Sequence, residues 1–367
     1  MICRVLHIVP SLDYVSGILN SIMNYYLRIN KDLIQYDFIY LNESKVDYKK
    51  TIEKLGGKYY HFDNMFNYFR FKKQLNKFCK DHYGEYTIIY LHMPFLSIFF
   101  YELKRKLNAK AFVLHAHSTR YGDTAFTNLR NKILYKLFRK KADCYFACSK
   151  IAGESLFGDD YINKGFYLLN ICDIEMSKKA PSKENAKKEL SLENTIVLGH
   201  VGIFAYPKNH RFIIDVFEEL LKTNTSYRLL LVGDGPLRNQ IEEYAKTKCI
   251  YNQIIFAGAQ KNVGRYYATM DAFLFPSIFE GFAIALVEAQ SFGIPCIASD
   301  VIVPEVNINK DRNCFISLDL SAKEWANIII KKINSKVDHN YLSNFNNETD
   351  YRIKLLEDKF LSLSNMK

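Results

Sequence analysis

Two glutamates stand eight positions apart in surroundings that could bind a phosphorylated, hydroxyl-rich ligand. Glu280 lies in a predicted loop just before Gly281, and a glycine lets backbone approach a ligand closely. Glu288 lies within a predicted helix at 282–292 that is apolar on nearly every side, so its carboxylate needs a polar partner. The first turn of such a helix also offers free N–H groups to an anion. An anion cradle beside two carboxylates suits a nucleotide sugar.

The elements that must position these residues alternate between strand and helix along most of the chain. Short runs rich in β-branched and aromatic residues predict strands, and segments with helical spacing lie between them. Alternation of this kind predicts parallel sheets covered by helices on both faces. The polar segment 176–193 divides the alternation into two series, and 367 residues suffice for two domains.

The motif E-G-F-A-I-A-L-V-E at 280–288 resembles the E-x7-E signature of the family 4 retaining glycosyltransferases, which have the GT-B fold. Its flanks, P-S-I-F before it and G-I-P-C-I-A-S-D after it, are similar to the capsular and exopolysaccharide branch of that family. The resemblance covers the chain from Val5 to about Ile330.

The resemblance implies an α/β chain with two doubly wound, Rossmann-like domains that face a central cleft. We expect an acceptor-side domain at 1–180 and a nucleotide-sugar-binding domain at 181–340. A C-terminal helix in 341–367 is expected to cross back to the first domain.

In the second domain the resemblance implies the donor site. Lys208 matches a lysine that clamps the donor diphosphate together with an arginine, but Ile203 stands at the arginine position. A lysine lacks the bidentate geometry of a guanidinium, so this departure could weaken donor binding. Glu280 is expected to bind the sugar hydroxyls and Glu288 the ribose hydroxyls. The other donor-binding candidates lie in turns where backbone could face the ligand: Gly233, Ala259, Gly281, Phe282 and Ala283.

In the first domain, Gly17 opens the first helix, where bare backbone could face a phosphate or simply form a turn. His115 and His117 end a predicted strand and point to the same face, because side chains alternate along a strand. In the family a histidine at this strand end contacts the donor sugar, which favours His117 and keeps His115 in reserve. Two satisfied histidines near a sheet edge are the alternative. His115 and Arg120 are expected on the acceptor side.

The net charge and the motifs of the chain limit the kinds of partner that we expect. The net charge of +11 lies entirely in residues 1–180, which hold 28 basic and 17 acidic residues, whereas 181–367 hold 22 of each. Such asymmetry suggests a polyanionic partner. Basic helices at 64–80 and 129–141 could meet an anionic membrane, or they could simply pack their apolar faces on the sheet and solvate their lysines. No nucleic-acid-binding motif is evident, so no nucleic acid is expected as a partner.

The spacing of the cysteines and the length of the apolar runs indicate in which cellular compartment the chain is expected. Eight scattered cysteines lack zinc spacing and favour a reducing environment. The sequence contains neither a run of 18 apolar residues nor the charge order of a signal peptide, so we expect a cytoplasmic chain held peripherally at the inner membrane face.

The resemblance implies a retaining transferase that moves a sugar from a nucleotide-diphosphate sugar, expected to be a UDP-sugar. The acceptor is expected to be a saccharide linked to polyprenyl diphosphate, in bacterial surface polysaccharide synthesis. His117, Glu280 and Lys208 are the expected catalytic residues. We expect neither a cofactor nor a metal, since no Asp-x-Asp motif is present. The alternatives are a GT-B nucleotide-sugar epimerase and a catalytically weak nucleotide-sugar- or saccharide-binding protein.

Overall fold

The computed structural model divides the chain into two compact units. The first consists of Met1–Ile171 together with Asn347–Lys367, and the second is Cys172–Asn346. The helix at Glu175–Lys179 therefore belongs to the second unit, whereas the first domain was expected to continue to residue 180. The structure describes residues 2–14, 16–44, 46–63, 67–122, 124–138, 141–172, 175–308, 312–333 and 342–366.

The first unit contains a parallel sheet of seven strands. In spatial order the strands are β3, β2, β1, β4, β5, β6 and β7, so the direction of winding reverses between β1 and β4. The bounds are β1 Cys3–Ser11, β2 Ile34–Asn42, β3 Tyr59–His61, β4 Ile88–Leu91, β5 Ala111–Ala116, β6 Cys144–Ala147 and β7 Gly165–Tyr167. The alternation of strands and helices predicts the first six. The last is a short edge strand whose sequence, G-F-Y, lacks an apolar run.

Helices cover both faces of this sheet. Their bounds are α1 Gly17–Tyr26, α2 Lys49–Lys54, α3 Tyr68–Asp81, α4 Ser97–Phe100, α5 Leu103–Lys106, α6 Ala125–Phe138, α7 Lys150–Phe157 and α8 Asp159–Lys164. The prediction of one helix at 94–107 is wrong. The segment forms a short 3-10 helix at Pro94–Leu96, followed by the separate helices α4 and α5. Pro94 stands at the start of the first piece, where its missing N–H is not needed, so the proline does not account for the breaks.

The C-terminal helix completes the first unit, which confirms the expected crossing. This helix is α16, Leu342–Ser364. Its Leu356, Phe360 and Leu363 are buried in the same core as β1 and β2. The Phe360 ring lies 5.8 Å from the Tyr90 ring and 6.0 Å from the Phe146 ring, centroid to centroid. Burial of these side chains holds a segment distant in sequence against the first sheet.

The second unit repeats the doubly wound arrangement with six parallel strands. The spatial order is β10, β9, β8, β11, β12, β13, and the winding reverses between β8 and β11. The bounds are β8 Ile196–Val201, β9 Tyr227–Val232, β10 Ile254–Gly258, β11 Ala272–Phe275, β12 Cys296–Ser299 and β13 Cys314–Ile316. The two sheets confirm the predicted fold class.

The helices of the second unit enclose a core around Trp325, whose side chain is fully buried. They are α9 Glu175–Lys179, α10 Lys183–Glu189, α11 His210–Leu221, α12 Arg238–Thr247, α13 Gly264–Thr269, α14 Ile284–Ser291 and α15 Ala322–Ile333. Lys183 and Lys187 of α10 pair with Asp271 at 2.6 and 2.7 Å. Across both units, none of the helices in the described residues is long and apolar enough to cross a membrane.

Candidate active site

The strongest candidate site lies where the winding of the second sheet reverses. β8 and β11 are parallel neighbours, with Leu198 opposite Ala272 and Gly199 opposite Phe273. Doubly wound sheets bind ligands at the carboxyl ends of the strands on either side of such a reversal. The loop after β8 carries Lys208 and the loop after β11 carries Glu280. The topology thus brings together two residues that are 72 positions apart.

Lys208 and Glu280 form an ion pair. The Lys208 Nζ lies 2.5 Å from Glu280 Oε1, and the two side chains are only 16% and 13% exposed. The same ammonium lies 4.7 Å from the centroid of the Phe275 ring. The Ile278 N–H donates to the Pro207 carbonyl at 2.8 Å and ties the two loops together. The lysine is therefore a positioned cation that an anionic ligand could share.

Glu288 is half-buried in α14 and has a hydrogen-bond donor that sequence reasoning missed. The hydroxyl of Tyr267, in α13, donates to Glu288 Oε2 at 2.9 Å. Tyr267 is fully buried, and this burial, with the nearby Glu288 charge, raises the pKa of the phenol well above its usual value. The phenol therefore stays protonated and orients the carboxylate. No motif marks this tyrosine, since only the fold brings it to Glu288.

The helix that carries Glu288 begins later than predicted. The prediction placed the start at Phe282, but α14 begins at Ile284, and Ala283 occupies the N-cap position without a side-chain cap. Gly281, Phe282 and Ala283 are buried and precede the helix. Their N–H groups therefore belong to the loop and the N-cap, and the uncapped first turn begins after them.

Gly233 is required by backbone packing. Its φ is +141°, and a Cβ atom at this position would lie 2.0 Å from the Gly202 carbonyl oxygen. Its N–H donates to the Gly258 carbonyl at 2.9 Å. The glycine thus lets the ends of β8, β9 and β10 approach one another. Ala259, the last of the predicted donor-binding positions, is half-buried directly after β10.

Ile203 occupies the loop after β8, and its side chain is 40% exposed. The Ile203 carbonyl accepts a hydrogen bond from the Ala205 N–H at 2.8 Å, and its partly exposed side chain leaves room on the solvent side for a longer one. On its other side the Ile203 side chain lies close to Gly235: a Cβ atom added to that glycine would be 2.9 Å from Ile203 Cγ1. A longer side chain at position 203 therefore has little space toward Gly235.

Replacing Ile203 by arginine is expected to tighten binding of a nucleoside diphosphate about tenfold, because a guanidinium adds charged, bidentate hydrogen bonds to phosphate. Isothermal calorimetry with UDP measures the change. Ile203→Lys is the matched control. It adds a positive charge without the bidentate geometry of a guanidinium, so it should increase the affinity for UDP less. Weaker binding by a folded Ile203→Arg protein would show that the pocket is built around the isoleucine.

Four histidines form a contiguous cluster in the first unit. His7 Nδ1 lies 2.9 Å from His92 Nε2, and His92 Nδ1 lies 2.8 Å from His117 Nε2. The rings of His115 and His117 are 3.8 Å apart between centroids, and His115 Nδ1 lies 2.7 Å from the Tyr90 hydroxyl. The sequence places His115 and His117 together by alternation, whereas His7 and His92 come from other strands.

These imidazoles are neutral at physiological pH. Burial lowers the pKa of His7, His92 and His115 far below the ordinary value, and the neighbouring His117 lowers each of them further. Burial also lowers the pKa of His117 to about 3. His117 can therefore offer a neutral donor or acceptor to a ligand without carrying charge.

The remaining predicted residues of the first unit lie near the surface. Gly17 is exposed at the start of α1, where a Cβ atom would meet nothing within 4 Å. Ser16 caps this helix by accepting from the Leu19 N–H at 3.3 Å. Arg120 is exposed, and its N–H donates to Ser118 Oγ at 3.1 Å. Open space at Gly17 leaves its backbone accessible.

Comparisons with known proteins agree with this site. Residues 181–349 match the family described as Glycosyl transferases group 1. A Bacillus subtilis (strain 168) protein named EpsF and described as a glycosyltransferase is 28% identical over 339 residues, which cover 89% of this chain and 87% of the relative. The Staphylococcus aureus capsular polysaccharide biosynthesis glycosyltransferase CapH is 28% identical, with 73% of each chain covered.

Two shorter matches, to proteins of Campylobacter jejuni and Escherichia coli, carry names that describe sugar transfer to a diphosphoundecaprenol-linked saccharide. They cover 50% and 36% of this chain.

Among solved structures, Anabaena HepE in complex with UDP-glucose superposes with a TM-score of 0.74. The superposition covers 98% of this chain and 97% of HepE at 16% identity, a likeness that concerns the fold. The family match identifies residues 181–349 as a glycosyl transferases group 1 domain. Over most of its length the chain is similar in sequence to glycosyltransferases, one of them named for capsular polysaccharide biosynthesis, and its fold is that of HepE.

Proposed function

We propose that the protein transfers a sugar, with retention of its anomeric configuration and without a metal, from a UDP-sugar to a saccharide acceptor of surface polysaccharide synthesis. The observation that carries the donor assignment is the part-buried Lys208–Glu280 pair at the reversal of the second sheet. The UDP-glucose bound to HepE, a protein of the same fold, supports UDP as the nucleotide.

Different residues of the second unit bind different parts of the donor. Lys208 stabilises the negative charge that develops on the departing diphosphate, and the loop N–H groups of Gly281–Ala283 assist it. Because Lys208 is already paired with Glu280, a donor phosphate would compete for the ammonium and release the Glu280 carboxylate. Glu280 then accepts hydrogen bonds from the sugar, while Glu288, oriented by Tyr267, accepts from the ribose.

In the first unit we assign His117 to a hydrogen bond with the transferred sugar. Its neutral imidazole is held by His92 at 2.8 Å, which fixes the ring and leaves Nδ1 for the ligand. His115 supports the position through the close stacking of its ring on that of His117. Arg120 and Gly17 remain the candidates for contacts with acceptor and phosphate.

The acceptor that we propose is a saccharide linked to polyprenyl diphosphate. The printed names of two relatives describe such acceptors. A lipid-linked acceptor requires the enzyme to work at a membrane surface, and the first unit contains a surface suited to that task.

Helix α6 carries an apolar stripe on its exposed side. Phe126, Leu129, Ile133 and Leu137 recur at helical spacing and are 73%, 60%, 53% and 65% exposed. The opposite side is buried through Asn131 and Tyr135. The predicted alternative, in which this helix packs its apolar residues on the sheet, is wrong for Leu129, Ile133 and Leu137, whose side chains point to solvent.

Basic residues flank the stripe, as in helices that lie in a membrane interface. Arg130, Lys132 and Lys136 of α6 are exposed. Arg139 and Lys140, which the sequence places in the same cluster, lie outside the described residues. Helix α3 differs, since it buries Phe71, Leu75, Phe78 and Cys79 and leaves its lysines in solvent. Hence α6 is the better membrane contact, and α3 contributes exposed positive charge elsewhere in the same unit.

We expect Ile133→Glu with Leu137→Glu to weaken binding to vesicles that contain anionic lipid by at least about tenfold, because each buried aliphatic side chain contributes about 1.5–3 kcal/mol. Co-sedimentation measures the effect. Ile162→Glu in α8, whose side chain is 75% exposed, is the matched control and should not change binding. Roughly molar salt, where the Debye length is about 3 Å, should release only the electrostatic part. Complete release by salt would contradict insertion of the stripe.

The function itself is tested by incubating the protein with a panel of UDP-sugars and measuring UDP release with and without a bacterial membrane lipid extract. Release that depends on the extract, with label transferred to lipid, is the expected result. Release of UDP and free sugar without the extract would favour the epimerase alternative. Tight donor binding with no turnover under either condition would favour the binding protein.

A further inference from the structure

Three histidines of the first unit are spaced for a metal ion. One ring nitrogen from each of His92, His115 and His117 lies within 4.8 Å of those of the other two. In a tetrahedral zinc site with Zn–N bonds of about 2.0–2.1 Å, the nitrogens are about 3.3 Å apart. In this structure His92 Nδ1 and His117 Nε2 are 2.8 Å apart, slightly closer than in such a site.

Among the described residues of this cluster, His115 Nε2 and His7 Nε2 are buried ring nitrogens without a hydrogen-bond partner, and of the two only His115 belongs to the three histidines spaced for a metal. His115 is 3% exposed, and its Nε2 is buried without a hydrogen bond. Buried polar atoms are almost always satisfied, so this atom requires an explanation. Its other nitrogen, Nδ1, is already engaged by the Tyr90 hydroxyl at 2.7 Å. The unpartnered atom is therefore the one available to a ligand.

The outer contacts match those of metal-binding histidines, which usually donate their second N–H to a nearby acceptor. For His115 that acceptor is the Tyr90 oxygen. For His92 it is His7, whose Nδ1 lies 2.9 Å from His92 Nε2. Each of the two buried imidazoles thus has one nitrogen fixed by a neighbour and one directed toward the cluster.

We propose that His92 Nδ1, His115 Nε2 and His117 Nε2 bind one Zn²⁺ ion, with the fourth position left to water. Three imidazoles with an open position are a donor set that zinc accepts. The half-buried His117 is the point at which the ion enters. Zinc at Nε2 would hold the His117 ring in a new orientation and so displace the Nδ1 that meets the transferred sugar. Zinc should therefore also lower sugar transfer, a consequence that rests on the proposed function.

The test uses untagged, chelator-treated protein. Calorimetric titration with Zn²⁺ is expected to show one saturable site, and Co²⁺ in its place should give visible d–d absorption. His115→Asn and His92→Asn should each lose at least tenfold in affinity. His82→Asn, in the same unit but outside the cluster, is the matched control and should bind like the wild type.

Tyr90→Phe probes the outer contact, since it removes the oxygen that would accept from His115 and keeps the ring. It should weaken zinc binding about tenfold or more, as loss of such contacts does elsewhere. Thermal melts of each metal-free variant show whether it is folded. If the histidine variants do not fold, zinc binding by Tyr90→Phe tests the proposal instead.

Absence of a saturable site, or equal binding by His115→Asn and His82→Asn, would overturn the proposal; the second result would place the ion elsewhere, for example at the exposed Cys249. Zinc that binds as expected but leaves transfer unchanged would support the site and contradict the sugar-contact role of His117.

Discussion

Replacing Lys208 by methionine is expected to lower kcat by about 100- to 1000-fold, the usual effect of removing one group that stabilises charge in the transition state. The ammonium is fixed 2.5 Å from Glu280 and 4.7 Å from the Phe275 ring centroid, so it meets the diphosphate without first having to be ordered. Methionine keeps most of the apolar stem that packs on Phe275. Steady-state UDP release with the active donor and acceptor measures the loss.

The matched control is Lys222→Met in the same unit. Lys222 also pairs with a glutamate, Glu219, at 2.6 Å, but its side chain is 61% exposed at the end of α11. Such surface pairs contribute little to stability, and we expect kcat to remain within about twofold of the wild type. A Lys208→Met enzyme that turns over like this control would remove Lys208 from catalysis.

Replacing Glu288 by alanine is expected to abolish measurable donor binding while leaving the protein folded. Hydrogen bonds to a charged group contribute about 1.5–3 kcal/mol each, so loss of two ribose contacts weakens affinity by about 10²- to 10⁴-fold. The fold should survive because the Tyr267 hydroxyl keeps a second acceptor, the Ala285 carbonyl, at 3.2 Å. Calorimetry with UDP measures affinity, and thermal melting reports the folded state.

Glu219→Ala is the control for this substitution, because it removes a helical carboxylate of the same unit that is remote from α14 in the sequence. Unchanged UDP affinity in Glu288→Ala would contradict the ribose role. Equal weakening in both variants would point to a general effect of charge.

The fold was predictable because its signals are local. Each central strand is a short apolar run, and each long helix shows helical spacing, so alternation alone indicates two parallel sheets. Elements with weak local signals were missed or misplaced. β7 is a three-residue edge strand, and the segment from Pro94 to Lys106 has the composition of a helix but breaks into three pieces.

Residues of the candidate site could be predicted only where the sequence around them also identifies the strand or helix that positions them. Lys208 and Glu280 follow strands that the sequence marks clearly, so their positions could be inferred. Tyr267 could not, because its contact with Glu288 joins two helices through the packing of the fold. The same holds for His7 and His92, which reach His117 from strands widely separated in sequence.

Helix α6 shows a further limit of sequence patterns. Its spacing reveals an apolar stripe but not which side of the helix the neighbouring elements cover. Asn131 and Tyr135 are the residues that pack inward, and the more apolar side is left exposed. Only the three-dimensional structure distinguishes a core-facing stripe from a docking surface.

The most direct test of the account is a crystal structure of the protein with UDP. We predict that the diphosphate lies within hydrogen-bond distance of Lys208 Nζ and of the N–H groups at Gly281–Ala283, and that the ribose hydroxyls donate to Glu288. The Lys208–Glu280 pair should open in that complex. A complex in which UDP lies away from both Lys208 and Glu288 would contradict the assignment of this site to the sugar donor. In that case the Lys208–Glu280 ion pair and the Tyr267–Glu288 hydrogen bond would be unchanged.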